Sequence, residues 1–157
     1  MHAALATLIL AFWTAIHPQL ARQGDAALVA PAIATAVLED AEGAPVFGSH
    51  VEDAAVMAFF AYKESSLYNN AVGDGGRSFG IWQQQTACGR ATVVEQARCW
   101  LRLLHEGAKK CPESPSAIAW GSCDWTFAQS GKTWTSSTAG AARVRRAREL
   151  LQKIVSE

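Results

Sequence analysis

From Ala54 to Ala61 every residue is apolar: Ala-Ala-Val-Met-Ala-Phe-Phe-Ala. Just upstream, Ser49 with Glu52 three residues later forms a capping box, so the spacing predicts a helix from about His50. It runs to about Ser66, roughly four turns. A helix with no polar face has no side to give to water, so it belongs at the buried centre of a fold. The rest of the chain has to be arranged around it. At 157 residues the chain can supply that cover as one domain with a sizeable core.

The other segments read mainly as helix. Residues 3–16 are almost wholly apolar but too short for a comfortable membrane span. Two readings of residues 1–22 stand. They are a first core helix, or a signal peptide with only His2 at its start and a poor cleavage box at Gln19-Leu20-Ala21. Residues 23–157 read as the folded domain, to which residues 1–22 add a first core helix on the first of these readings. Residues 25–40 read as a helix that Pro31 delays or breaks, with Ile33 and Val37 on its apolar face. The run 69–84 reads as a loop pinned to the core by Phe79, Ile81 and Trp82. Thr92 and Glu95 form a second capping box, opening a helix through about His105. Val93, Ala97, Trp100, Leu101 and Leu104 recur along it at helical spacing. Ser114 as N-cap before Pro115 starts a short helix that Gly121 ends. Residues 121–138, rich in Gly, Ser and Thr, read as a long irregular connection. A last helix over about 139–155 buries Ala142, Ala147, Leu150, Leu151 and Ile154. No run alternates as a strand does. The expected class is mainly α, a single domain of about six helices with at most a small β element.

Charge narrows the partners. The 14 basic and 14 acidic residues cancel, so no global field draws in nucleic acid or an anionic membrane, and neither is expected as a partner. Arg143, Arg145, Arg146 and Arg148 cluster on the last helix and read as a solvated face. Cys88, Cys99, Cys111 and Cys123 show no Cys-x-x-Cys spacing, and His105 forms no metal pattern with them. Neither metal nor cofactor is expected. Disulfides are expected in an oxidising compartment and buried thiols otherwise, and three pairings are open.

One carboxyl stands at the end of the central helix. Glu64 falls in the last turn, after the apolar run and at the negative end of the helix dipole. Both surroundings disfavour the charged form and would raise its pKa. A carboxyl that keeps its proton near neutrality can donate it to a leaving oxygen. The commoner fate of such a residue is a solvated helix end. Position alone therefore does not decide, and the residues that follow must.

Those residues are Glu64-Ser65, Ala71-Val72-Gly73-Asp74 and Ser78-Phe79-Gly80-Ile81-Trp82-Gln83. The stretch resembles the catalytic segment of soluble lytic transglycosylases and goose-type lysozymes. Those families share Glu-Ser, a glycine-rich loop and then Gly-Leu-Met-Gln. Gly73 to Gln83 is especially similar to the goose-type version. The resemblance implies a lysozyme-like fold and a muramidase that cleaves the β-1,4 bond between N-acetylmuramic acid and N-acetylglucosamine in peptidoglycan. The expected setting is extracytoplasmic (periplasm, cell wall or phage-associated), and the expected state is a monomer that needs no lipid membrane.

In that family Glu64 would be the acid and then the base. A lytic transglycosylase takes the proton of the muramoyl 6-hydroxyl and leaves a 1,6-anhydro end, whereas a hydrolase brings in water. Most glycosidases flank the bond with two carboxylates. Asp74 matches the first of two goose-type aspartates, but the place of the second holds Gln85, which is no base. The lytic outcome is therefore favoured, with Asp74 orienting substrate or shaping the loop as an Asx-turn residue. Trp82 stands where the family has Met. Trp120 stands where the lytic families carry a Tyr, and would stack on a sugar without that hydroxyl. Ser78 and Gln83 would bond acetamido groups or hold the loop. A hydrolase on the same fold and a non-catalytic glycan-binding or structural protein are the alternatives.

Overall fold

The computed structural model describes residues 1–22 and 24–156. Gln23 and Glu157, which bound the expected domain, lie outside the described residues. Five α-helices carry the fold: α1 (His2–Ile16), α2 (Ala26–Leu38), α3 (His50–Ser65), α4 (Val93–Lys110) and α5 (Ser136–Ser156). Short 3-10 helices occupy Leu20–Arg22, Ala87–Arg90 and Pro115–Trp120. Two antiparallel hairpins complete it, β1 (Val72–Gly73) with β2 (Ser78–Phe79) and β3 (Thr126–Gln129) with β4 (Lys132–Thr135). The chain is mainly α, as its patterning requires.

The apolar helix is the centre. Ser49 Oγ accepts the Glu52 N–H at 3.1 Å, so α3 starts where the capping box sets it. Ala54 through Ala61 are all buried, enclosed by α1, α2, α4 and α5. The apolar segment 3–16 lies within α1, which buries Leu5, Ile9, Phe12 and Trp13. The Trp13 indole N–H donates to the Ala58 carbonyl at 3.0 Å, giving a buried polar group its partner.

Three expectations need correction. Pro31 neither delays nor breaks α2, which runs through it. The donor lost at Pro31 would have served the Ala27 carbonyl, and both residues are exposed, so water can take that place. Helix α4 continues past His105 to Lys110, with Gly107 buried inside it. Ser114 is the N-cap of the short helix and Pro115 its first residue, as the sequence indicates, with the Ser114 hydroxyl donating to the Ser137 carbonyl at 3.0 Å and not to the helix. The run 121–138 is not irregular throughout. Phe127 pairs with Trp134, and Ser130 and Gly131 turn the hairpin with φ of 53° and 73°. Two positive φ values in a two-residue loop match the twist of the flanking strands. On α5, Ala142 and Ile154 are half-buried, while Gly140 and Val144 join Ala147, Leu150 and Leu151 inside.

The cysteines pair as Cys88–Cys99 and Cys111–Cys123, with Cα separations of 6.1 and 5.6 Å. Loops of that length lose about 3 kcal/mol of unfolded-chain entropy when closed. No helix among the described residues is long and apolar enough to cross a membrane.

Asp53 ties the chain before α3 to the helix. Its carboxylate accepts the Val46 and Phe47 N–H groups at 3.0 and 2.8 Å. Burial pushes this carboxyl above the usual aspartate range, and outweighs those two donors, which act the other way. Folding therefore favours the protonated form. The stabilisation is full below the ordinary aspartate value of about 3.9, and is lost as pH rises through the raised value. The difference in Tm between wild type and Asp53→Asn should therefore narrow with rising pH across that window. A pH-independent difference would show that burial does not govern this group.

Candidate active site

The site begins where α3 stops. Ser66 caps the helix in the left-handed region at φ 51°, and Leu67 follows at φ 68°. Two successive positive φ values turn the chain sharply, and Leu67 is fully buried beneath the turn. Glu64 is left at the rim, with its side chain 25% exposed.

Its carboxylate is not alone. Arg143 Nη1 donates to Glu64 Oε1 from α5, across 79 residues of sequence. The Arg143 guanidinium carbon lies 5.0 Å from the Phe60 ring centroid and 5.1 Å from that of Trp120. A planar cation on aromatic faces is favourable, more so when shielded from water, and Arg143 is only 19% exposed. Glu64, Arg143, Phe60 and Trp120 therefore form one cluster. Apolar surroundings for Glu64 were expected; the structure adds a cation. Arg143 is also no part of a solvated face, although Arg145 and Arg146 are exposed. Arg148 is partly exposed but also engaged, donating to the Phe47 carbonyl at 2.6 Å and pairing with Glu52 at 3.0 Å.

The signal for Arg143 was present in the sequence. Positions 143, 147, 150 and 154 fall at helical spacing, and the last three are Ala, Leu and Ile. An arginine on an apolar stripe calls for a carboxylate partner.

Trp120 is brought to the cluster by close backbone packing. It ends the 3-10 helix Pro115–Trp120, which lies between α4 and α5. Both helices meet that segment with a glycine. A Cβ on Gly107 would stand 1.8 Å from the Pro115 carbonyl oxygen, and one on Gly140 would stand 2.6 Å from Ser116 Oγ.

The glycine-rich loop is held together by the residues expected to bind substrate. Ser78 is buried, and its hydroxyl donates to the Asp74 carboxylate. Gln83 Nε2 donates to the Gly80 and Ala71 carbonyls at 2.9 and 3.2 Å. Asp74 is exposed at φ 50°, at the head of the turn between β1 and β2. These contacts shape the loop, the alternative that the sequence held open for all three. Below it, Trp82 is buried and its indole N–H donates to the Met57 carbonyl at 3.0 Å. Ile81 is buried as well, while Phe79 is half-buried under the Arg90 guanidinium. Gly80, at φ 76°, leaves room for Gln96, whose Oε1 accepts the Ile81 N–H at 2.8 Å.

Of the sequence-derived set, the structure joins Glu64 and Trp120 through Arg143. Among the described residues no hydrogen bond or ion pair links Asp74 to Glu64. Gln85 is exposed. No group of three or more His, Cys, Asp or Glu side chains among the described residues is placed to hold a metal ion. Comparison of the chain with protein-family models, with curated proteins and with solved structures finds no match.

Proposed function

We propose that the chain is a peptidoglycan-cleaving muramidase of the lytic kind, acting outside the cytoplasm. One observation carries the reading. A single carboxyl stands at the open end of a buried helix beside an aromatic ring, while Asp74 is engaged with Ser78 and the second aspartate position is Gln85. Glu64 would serve as acid and then as base, and the muramoyl 6-hydroxyl, carried by the same sugar, is a nucleophile that needs no second carboxylate to position a water. Two disulfides fit the oxidising compartments in which peptidoglycan is met.

The steps balance around Glu64. Its proton passes to the glycosidic oxygen as the bond from the muramoyl C1 breaks, leaving an oxocarbenium-like sugar. The 6-hydroxyl oxygen attacks C1, and its proton returns to the Glu64 carboxylate. No water is consumed. Arg143 occupies the Glu64 carboxyl that would meet the glycosidic oxygen, so the guanidinium has to move aside when substrate binds. Trp120 offers the means, because a sugar lying on that ring competes with Arg143 for it.

The test is digestion of purified peptidoglycan followed by mass spectrometry of the released muropeptides. Products one water lighter than reducing ends are expected. Reducing ends alone would replace the lytic reading with the hydrolytic one, and no release would remove the muramidase reading.

A further inference from the structure

Trp125 is 49% exposed, on the β3–β4 side of the molecule. Its ring does not float. It stacks on Phe127 at 5.5 Å and 21°, and Phe127 stacks on Trp120 at 5.9 Å and 19°. Trp120 in turn lies under Arg143, which holds Glu64. The contacts therefore run from the candidate acid through the Arg143 guanidinium to three stacked rings that reach the surface.

The base of this arm is fixed. Ser136 N–H donates to the Trp125 carbonyl at 2.8 Å, and Ser137 N–H and Oγ donate to the Cys123 carbonyl at 3.1 and 2.6 Å. Cys123 is also bonded to Cys111. An exposed tryptophan on a fixed base is pre-organised for a flat partner and loses little freedom on binding. The surroundings narrow the partner's chemistry. β3 and β4 carry one charge, Lys132, too few for a phosphate backbone. Thr126, Gln129, Thr133 and Thr135 are exposed around the rings, which breaks up any broad apolar patch for a protein partner. A neutral, hydroxyl-rich ring with one apolar face suits both features.

We propose that Trp125, with Phe127 and Trp120 stacked behind it, presents a saccharide-stacking strip that holds an N-acetylhexosamine strand on one side of Glu64. The placement of that strand rests on the muramidase reading above. The strip itself is a binding site and does not depend on cleavage.

Binding is measured in the Glu64→Gln background, so that the strand is not consumed. The probes are peptide-free peptidoglycan strands and N-acetylglucosamine hexamer, followed by calorimetry. Adding Trp125→Ala should weaken binding of the strands about tenfold, whereas Trp125→Tyr, which keeps a flat ring on Phe127, should lose about twofold or less. Equal affinity of Trp125→Ala and its parent overturns the proposal, as does a change in self-association with no change in glycan affinity. Should Trp125→Ala fail to fold, acrylamide quenching of the native chain decides: strands must shield tryptophan fluorescence, and unshielded fluorescence overturns the strip. Strands that bind through Trp125 to a native chain releasing no muropeptides would keep the strip and remove the muramidase reading.

Discussion

Glu64→Gln should lower muropeptide release by about 10²–10⁴-fold, the usual contribution of a positioned acid–base group. The substitution keeps the size and an acceptor oxygen for Arg143 but removes the proton to be donated. Stability should change far less. The ion pair is three-quarters shielded, and a hydrogen bond to Arg143 survives, so a loss of about 1 kcal/mol is expected. The cation also keeps its contacts with Phe60 and Trp120. Activity per folded molecule, measured well below Tm, separates the two effects. A Glu64→Gln chain that digests peptidoglycan at the native rate would reduce Glu64 to the structural partner of Arg143. A loss of activity that merely tracks a loss of folded protein would do the same.

The largest effect on stability is expected at Gly107→Ala. Alanine ordinarily strengthens a helix interior by about 1 kcal/mol over glycine. Here the new methyl would overlap the Pro115 carbonyl oxygen, a backbone atom that no side-chain rotation can clear. α4 and the Pro115–Trp120 segment would have to part, which costs about 3 kcal/mol at the upper end of ordinary overpacking. For a chain of this size that is roughly 6–12 °C in Tm. Glu106→Ala, next door, supplies the contrast. It removes an exposed pair with Lys110 and should cost under about 1 kcal/mol. Because the displaced segment ends at Trp120, Gly107→Ala should also weaken glycan binding below its Tm. An unchanged melting curve would mean that the two elements are not in contact as described.

What could be read from the sequence was what is encoded locally. The start of α3 is written in Ser49 and Glu52, and its burial in an uninterrupted apolar run, so both were legible. The β3–β4 hairpin was missed because its strands are short and rich in Thr, and the Ser130-Gly131 turn was read as one more loop signal. The site was half legible. Glu64 and Trp120 were marked by pattern, but Arg143 was read with its charged neighbours because its partner is 79 residues away. Ser78 and Gln83 illustrate a different limit. Each has hydrogen-bonding groups for either a ligand or the backbone. Which it serves depends on which carbonyls and carboxylates the folded loop leaves without a donor.

The place of Arg143 on α5 has a consequence in time. A chain made from its N-terminus has Glu64 long before Ser136–Ser156, the helix that covers one flank of α3 and carries the guanidinium. Until that helix emerges, the apolar helix lacks part of its cover, so the nascent chain is prone to aggregate until α5 has been made. The same order means that the carboxyl is made early and restrained late. Its partner docks only once α5 packs against α3, and α5 also packs against α1.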